Sequence, residues 1–407
     1  MSSAAAPTLR ARIGALASRL IPDLDERAWR RARRTQVAQL RREGAGIPES
    51  LWGSLPVPVA GRSPHLVVVP MDGPSRESWA AAGGNFFYEI QQAAREFHPG
   101  LPVTIFAVEE GEPPSSWHPR LARLLVETGA THLAAQVEAD PERASTWTWD
   151  VLWSDLARHW DGVLLGVVFD SAFRMITLQC RELARISASF VLVDICMPMD
   201  EVLSPGRPEV GPVNMPVSNQ TLAVIDEQVA GLPRVYDVSF IGALYPYRVE
   251  LIERIRELGV DVSVNPHRAD AAADFAASRA NQPTYADYMQ ALAQSRMTIN
   301  FSESSAGGVQ QLKTRILEAT AMGCLVLTDD RDRTERFWST QDYGYFSDPR
   351  ELPALIASWL TTSDALDEAA ARSRLRAREI NVSSFWGAVD EVLRARRLQH
   401  LTGSSAT

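Results

Sequence analysis

Residues 297–330 read as strand, polar loop, helix, glycine stop and strand, and that order constrains everything else the chain can build. The run 297–301 is short and β-prone, and 324–328 is apolar enough to be buried on both faces. Between them Leu312, Ile316, Ala319, Ala321 and Met322 set a helical period that Gly323 ends. The intervening stretch 302–308 is small and polar, which leaves backbone N–H groups open where the helix begins. A helix N-terminus after such a loop suits an anionic oxygen. Lys313, Arg315 and Glu318 sit at that point.

The same alternation recurs on both sides of this unit. Upstream, strands are expected at 65–70, 101–108, 131–135, 162–169 and 190–195, with helices up to Phe97 and over 118–128, 148–160 and 174–186. Residues 196–235 are rich in proline and read as a crossover ending near Arg234. A second series opens with a strand at 237–242 running into Gly242, then a helix at 249–258, a strand at 260–264 and a helix at 285–295. Further helices are expected at 352–360, 364–378 and 385–398. Strands alternating with helices at this spacing predict two parallel, doubly wound sheets. Ligands on such sheets bind beyond the carboxyl ends of the strands. Asp72, Asp170 and Asp194 fall at strand ends, and Gly83, Gly84 and Asn85 lie in the loop after the first strand. For Asp170 the plainer role is an N-cap of the next helix.

Lys313 is the only lysine among 407 residues; every other basic side chain is arginine or histidine. A lysine gives phosphate a compact point charge, where arginine gives a planar fork. The competing reading is one surviving surface lysine beside an Arg315–Glu318 helix pair worth about 0.2–0.5 kcal/mol.

The run Lys-x-Arg-x-x-Glu-Ala-x-Ala-x-Gly-x-x-x-x-Thr-Asp, residues 313–329, resembles the donor-site motif of GT-B glycosyltransferases of the glycosyl transferases group 1 kind, most closely the spore-maturation CgeB-like branch. The stretch 238–248, Val-Ser-Phe-Ile-Gly-Ala-Leu-Tyr-Pro-Tyr-Arg, is similar to the first β–α unit of that branch's donor domain. The resemblance covers 236–395 well and 65–195 only as pattern. It implies α/β architecture of the GT-B type: two Rossmann-like doubly wound domains facing a cleft, here with an N-terminal helical arm. Boundaries follow at 1–60 (arm and linker), 61–200 (acceptor domain), 201–234 (crossover), 235–384 (nucleotide-sugar donor domain) and 385–407 (a helix returning to the first domain).

By the same resemblance, the activity is transfer of a sugar, of the hexosyltransferase type, from a nucleoside-diphosphate sugar to an acceptor that no motif identifies. It implies that Lys313 and Arg315 stabilise the departing diphosphate and that Glu318 accepts hydrogen bonds from the ribose. It also implies donor contacts from Gly242, Arg248, Gly308 and Gln310, and from Gly84 and Asn85 across the cleft. Gln310 departs from the pattern, since the wider group often carries a second glutamate there. For Arg248 the alternative is a solvated arginine in a first helical turn. No cofactor and no metal are expected: Asp329-Asp330 are adjacent, not spaced as a metal-binding Asp-x-Asp. Retention at the anomeric carbon is implied by analogy. A nucleotide-sugar epimerase, or a GT-B module that binds without turnover, are the other readings.

Composition narrows the partners. Net charge is −9 with no basic stripe in the middle of the chain, which speaks against nucleic acid. Cys180, Cys196 and Cys324 lie far apart in apolar runs and read as reduced, buried cysteines. No apolar run reaches membrane-spanning length and no signal-peptide core is evident, so a cytoplasmic protein is expected. Residues 8–44 form an arginine-rich amphipathic arm broken near Pro22, followed by a linker at 45–64. The arm reads as a helix docked on the body; a dimer contact or attachment to an anionic membrane surface is the alternative.

Overall fold

The computed structural model describes residues 22–53, 61–70, 86–109, 111–137, 147–169, 171–197, 207–267, 284–304 and 309–401. Two five-stranded sheets organise it, and every strand pairing in both is parallel.

The first half runs α1 (Pro22–Arg42), α2 (Glu49–Trp52), β1 (Leu66–Val69), α3 (Phe86–Phe97), β2 (Val103–Ile105), α4 (Pro114–Thr128), β3 (His132–Gln136), α5 (Thr148–His159), β4 (Val163–Val168), α6 (Arg174–Ile186) and β5 (Phe190–Asp194). A bridging helix, α7 (Asn219–Val229), follows. The second half is β6 (Tyr236–Phe240), α8 (Pro246–Glu257), β7 (Ser263–Val264), α9 (Tyr285–Ala293), β8 (Ser295–Asn300), α10 (Arg315–Ala321), β9 (Leu325–Thr328), α11 (Arg331–Thr334), β10 (Gly344–Tyr345), α12 (Leu352–Thr361), α13 (Ser363–Ile380) and α14 (Ser383–Ala395).

The sheet orders are β2-β1-β3-β4-β5 and β7-β6-β8-β9-β10, which is the same doubly wound order twice. In each sheet the winding reverses beside its first strand, between β1 and β3 and between β6 and β8, the point at whose carboxyl ends such sheets bind ligands. The α/β expectation of two doubly wound sheets therefore holds. Strands β1, β4, β5 and β9 are buried at every residue, as continuous apolar runs in parallel sheets should be. The first sheet sits in one core, and the second has a core on each face, built around Leu317 and Met289 on one side and Phe240 and Phe301 on the other.

Several elements differ from the sequence reading for local reasons. Helices α4 and α8 start earlier than expected, at Pro114 and Pro246, because proline suits the first helical turn, where its missing N–H costs nothing. The strands expected at 101–108 and 260–264 shorten to β2 and β7, the edge strands, each with one neighbour to pair with.

Contacts tie the two halves together. Glu89 of α3, fully buried, accepts hydrogen bonds from the Ser218 N–H (2.6 Å) and the Thr221 hydroxyl (2.5 Å) at the start of α7. Glu96 takes the Asn219 N–H at 2.8 Å, so two carboxylates cap the positive end of that helix. From the other end of the chain, α14 packs Phe385, Trp386 and Val389 into the first core, and the Trp386 indole donates to Ile90 O at 3.1 Å.

Helix α1 lies against α5. Trp29 and Leu40 are buried, and Arg41 forms a two-pronged bond to Asp155 at 2.6 and 2.7 Å. Arg27, Arg31, Arg34 and Arg42 face outward. Among the described residues no helix is long and apolar enough to cross a membrane. Cys180, Cys196 and Cys324 are buried and form no disulfide.

Candidate functional site

The winding reversal between β6 and β8 gathers most of the basic residues singled out by sequence. Strand β6 ends in Ile241-Gly242, and Gly242 has φ +152°, a backbone state that favours glycine. Its amide donates to Asn265 Oδ1 at 2.7 Å, and its carbonyl accepts from Asn265 Nδ2 at 3.0 Å. Asn265, just past β7, is buried and itself left-handed (φ +43°), which asparagine tolerates. The pair fixes the turn so that the open side of Gly242 faces α10. A Cβ there would run into Nη2 of Arg315.

Arg315 is the first residue of α10. Its guanidinium lies 5.1 Å from the Phe240 ring centroid, and Nε and Nη1 are buried with no hydrogen-bond partner. Burial pulls its pKa down from the usual arginine value, though such a group still stays charged at neutral pH. A buried charged donor with two uncommitted nitrogens can donate to an anionic oxygen.

Glu318 stands one turn further along. It is 5% exposed, and its oxygens accept from Tyr285 (3.0 Å to Oε1) and Tyr288 (2.6 Å to Oε2), both on α9. Burial raises its pKa, and the two phenols and Arg315 hold part of that rise back. A carboxylate has about four acceptor positions, so ribose hydroxyls could still bond to it, but as third and fourth donors.

Arg248 is not the solvated first-turn arginine of the alternative reading. It is 5% exposed and donates to the Tyr247 hydroxyl (2.8 Å), Ala243 O (3.1 Å) and Glu303 O (3.3 Å). Tyr247 donates to the same Glu303 carbonyl at 2.7 Å. Arg248 therefore ties the loop after β6 to the loop after β8, and its charge depresses the Arg315 pKa further.

Lys313 lies in the loop, not on the helix. The apolar period through Leu312 suggested an earlier helix start, but the Leu312 amide is drawn to Cys196 O at 3.0 Å, and α10 begins only at Arg315. Lys313 Nζ donates to Gln311 Oε1 at 2.8 Å and exerts a field on Asp329, whose oxygen accepts from the Ser302 amide at 2.8 Å. Gln311 Nε2 is buried without a partner, adding one uncommitted polar group beside the lysine. Gln310 is exposed, and it pairs with Glu303 in a short antiparallel bridge at the base of the loop. Gly308, Gly84, Asn85, Asp72 and Asp170 lie outside the described residues. Asp194 closes the turn after β5, accepting from the Cys196 and Met197 amides at 2.8 and 2.9 Å.

Sequence reasoning passed over Tyr285, Tyr288 and Gln311 as site residues. The tyrosines carried a usable signal: they are spaced i, i+3 behind Thr284 and Asp287, which form a capping box. Among the described residues, no group of three or more His, Cys, Asp or Glu could hold a metal ion.

Fold and site together define an α/β protein of two parallel sheets with basic residues gathered at the winding reversal of the second. Residues 248–382 match a family model described as glycosyl transferase-like, a span that opens at Arg248 and includes Lys313, Arg315 and Glu318. No curated protein matches the chain. Solved structures that resemble it include sucrose-phosphate synthase from Thermosynechococcus elongatus (11% identity, TM-score 0.49, covering 82% of this chain and 98% of that one). HepE of Anabaena in complex with UDP and glucose gives 11% identity and TM-score 0.46 over 81% of this chain and 99% of its own. BGT of T4 phage in complex with UDP-glucose gives 10% and 0.47 over 82% and 100%.

Proposed function

We propose that this chain is a glycosyltransferase that moves a sugar from a nucleoside-diphosphate sugar to an acceptor hydroxyl, without a metal and with retention of anomeric configuration. One observation carries the reading: a buried arginine with two uncommitted nitrogens stands at the winding reversal, in the same loop-and-helix unit as the only lysine and within the stretch matching the glycosyl transferase-like model.

The chemistry asks for stabilised negative charge. As the bond from the anomeric carbon to the diphosphate oxygen breaks, the electron pair leaves with the diphosphate, and fixed cations in a crevice lower that barrier. In this reading Arg315 takes one phosphate and Lys313 the other. Glu318 orients the nucleoside through the ribose, held in its rotamer by Tyr285 and Tyr288. Gly242 and Arg248 position Arg315 and the loops rather than meet the ligand. The acceptor proton passes to a departing phosphate oxygen, so no protein base is required. Gln310, Gly308, Gly84 and Asn85 remain proposed donor contacts. A cytoplasmic setting suits three cysteines that form no disulfide.

A second reading, binding without transfer, is favoured by one feature: both Glu318 oxygens are already engaged by tyrosines. Thermal-shift titration with UDP, GDP, dTDP, ADP and CMP tests the donor site. Incubating a stabilising diphosphate's sugar conjugates with the protein and following release of free diphosphate separates turnover from binding.

A further inference from the structure

A cavity of about 310 Å³ opens on the first half of the chain. It is walled by Ser171, Arg174, Thr177 and Arg181 at the start of α6, by Met197 beyond β5, and by Val309 from the second half. Its place relative to the candidate donor site is fixed by the chain. Val309 precedes Lys313 by four residues, which span at most about 14 Å. The Leu312 amide is bonded to Cys196 O, the residue before Met197.

We propose that this cavity seats an oxyanion, a phosphate monoester or carboxylate carried by the acceptor, with the acceptor's hydroxyl directed toward the donor. This rests on the glycosyltransferase reading above. Arg174, Thr177 and Arg181 fall at i, i+3 and i+7 on one face of α6, a helix of 13 residues whose positive end has no side-chain cap. Arg174 Nη2 lies 3.6 Å from Glu26 Oε2, which also pairs with Arg30 through its other oxygen. Ser171 is only 4% exposed, and its Oγ is buried with no hydrogen-bond partner although it lines the cavity. Thr177 holds the turn by donating its hydroxyl to Ser171 O at 2.8 Å. A buried hydroxyl without a partner, between two arginines and a helix start, is satisfied by a ligand oxygen.

The test titrates glycerol 3-phosphate, glycerate and glycerol calorimetrically into the full chain, alone and with UDP present. The expected result is binding of one or both anions and none of glycerol, weakened at least tenfold by the Arg174→Ala/Arg181→Ala double variant and at least threefold by Ser171→Ala. Preference for the phosphate or for glycerate then names the group. Unchanged melting temperature in Ser171→Ala separates lost contact from lost fold. Equal binding of glycerol and the anions, or equal anion binding by wild type and the double variant, overturns the proposal. The donor reading is scored separately by UDP binding and its loss in Lys313→Ala, so either can fail without the other.

Discussion

The guanidinium of Arg315 fills the space that Gly242 leaves by having no side chain. Gly242 is locked by Asn265, and Arg315 has the Phe240 ring beneath it, so neither can yield without moving the other. Gly242→Ala should push Arg315 out of register, and its φ of +152° adds backbone strain. Nucleoside-diphosphate affinity should fall at least tenfold, about 1.4 kcal/mol, while the far-ultraviolet circular dichroism is kept. Calorimetric titration checks this, and undiminished affinity in Gly242→Ala would remove Arg315 from the site.

Glu318 holds two buried phenols, and its removal strands them. Glu318→Ala should lower unfolding free energy by about 2–4 kcal/mol, since each unsatisfied buried hydroxyl costs roughly 1–3 kcal/mol. Tyr285→Phe and Tyr288→Phe should each cost about 1 kcal/mol. Urea denaturation measures all three. If Glu318→Ala matches wild type in stability, the tyrosine clamp is not what holds the carboxylate.

Much of the fold was legible because β1, β4, β5 and β9 are buried at every residue and the helices carry firm boundaries. Helix α6 was expected over Arg174–Ile186 and is found there. The misreading at Lys313 has a non-local cause: Leu312 fits the helical period, but its amide is claimed by Cys196, which is distant in sequence. Arg248 was read as a charge for a ligand or for solvent, whereas carbonyls of two separate loops absorb it. Which basic group stays uncommitted depends on such pairings, and no periodicity encodes them.

Acid should loosen the arm. His118 is fully buried, its Nδ1 accepts the Gly46 amide at 3.0 Å, and burial pushes its pKa down to about 3. His132, buried with Nε2 on Gln399 O, drops to about 4. Both are neutral when folded and titrate near 6.5 when unfolded, so their stability is complete above 6.5 and is lost as pH falls toward 3–4. Each gives up roughly 2 kcal/mol between pH 6.5 and 5. His118→Gln, which can still accept the Gly46 amide, should show a pH 7-to-5 loss about 2 kcal/mol smaller than wild type. Buried acids with raised values, such as Glu318, contribute in the opposite sense but equally to both proteins. Parallel urea curves at the two pH values decide it; identical losses would mean His118 is charged when folded.

Arg41 and Asp155 bind the arm to the first sheet's helices. Asp155 is 2% exposed and also accepts the Ile47 amide at 2.9 Å. Arg41→Ala should cost about 2 kcal/mol, less than the 3–5 kcal/mol of a fully buried pair because Arg41 is 38% exposed. The change in melting temperature on this substitution reads it. No change would show that the apolar contacts of Trp29 and Leu40 suffice.

The central claim is that Lys313 and Arg315 form a diphosphate site. The most direct measurement is titration of wild type and Lys313→Ala with the five nucleotides UDP, GDP, dTDP, ADP and CMP, read by thermal shift. At about 100 times its dissociation constant, a true ligand should stabilise wild type by roughly 2.7 kcal/mol. The account predicts a shift with at least one nucleoside diphosphate, and at least tenfold weaker binding in the variant. No shift with any nucleotide, or equal shifts in both proteins, would contradict it.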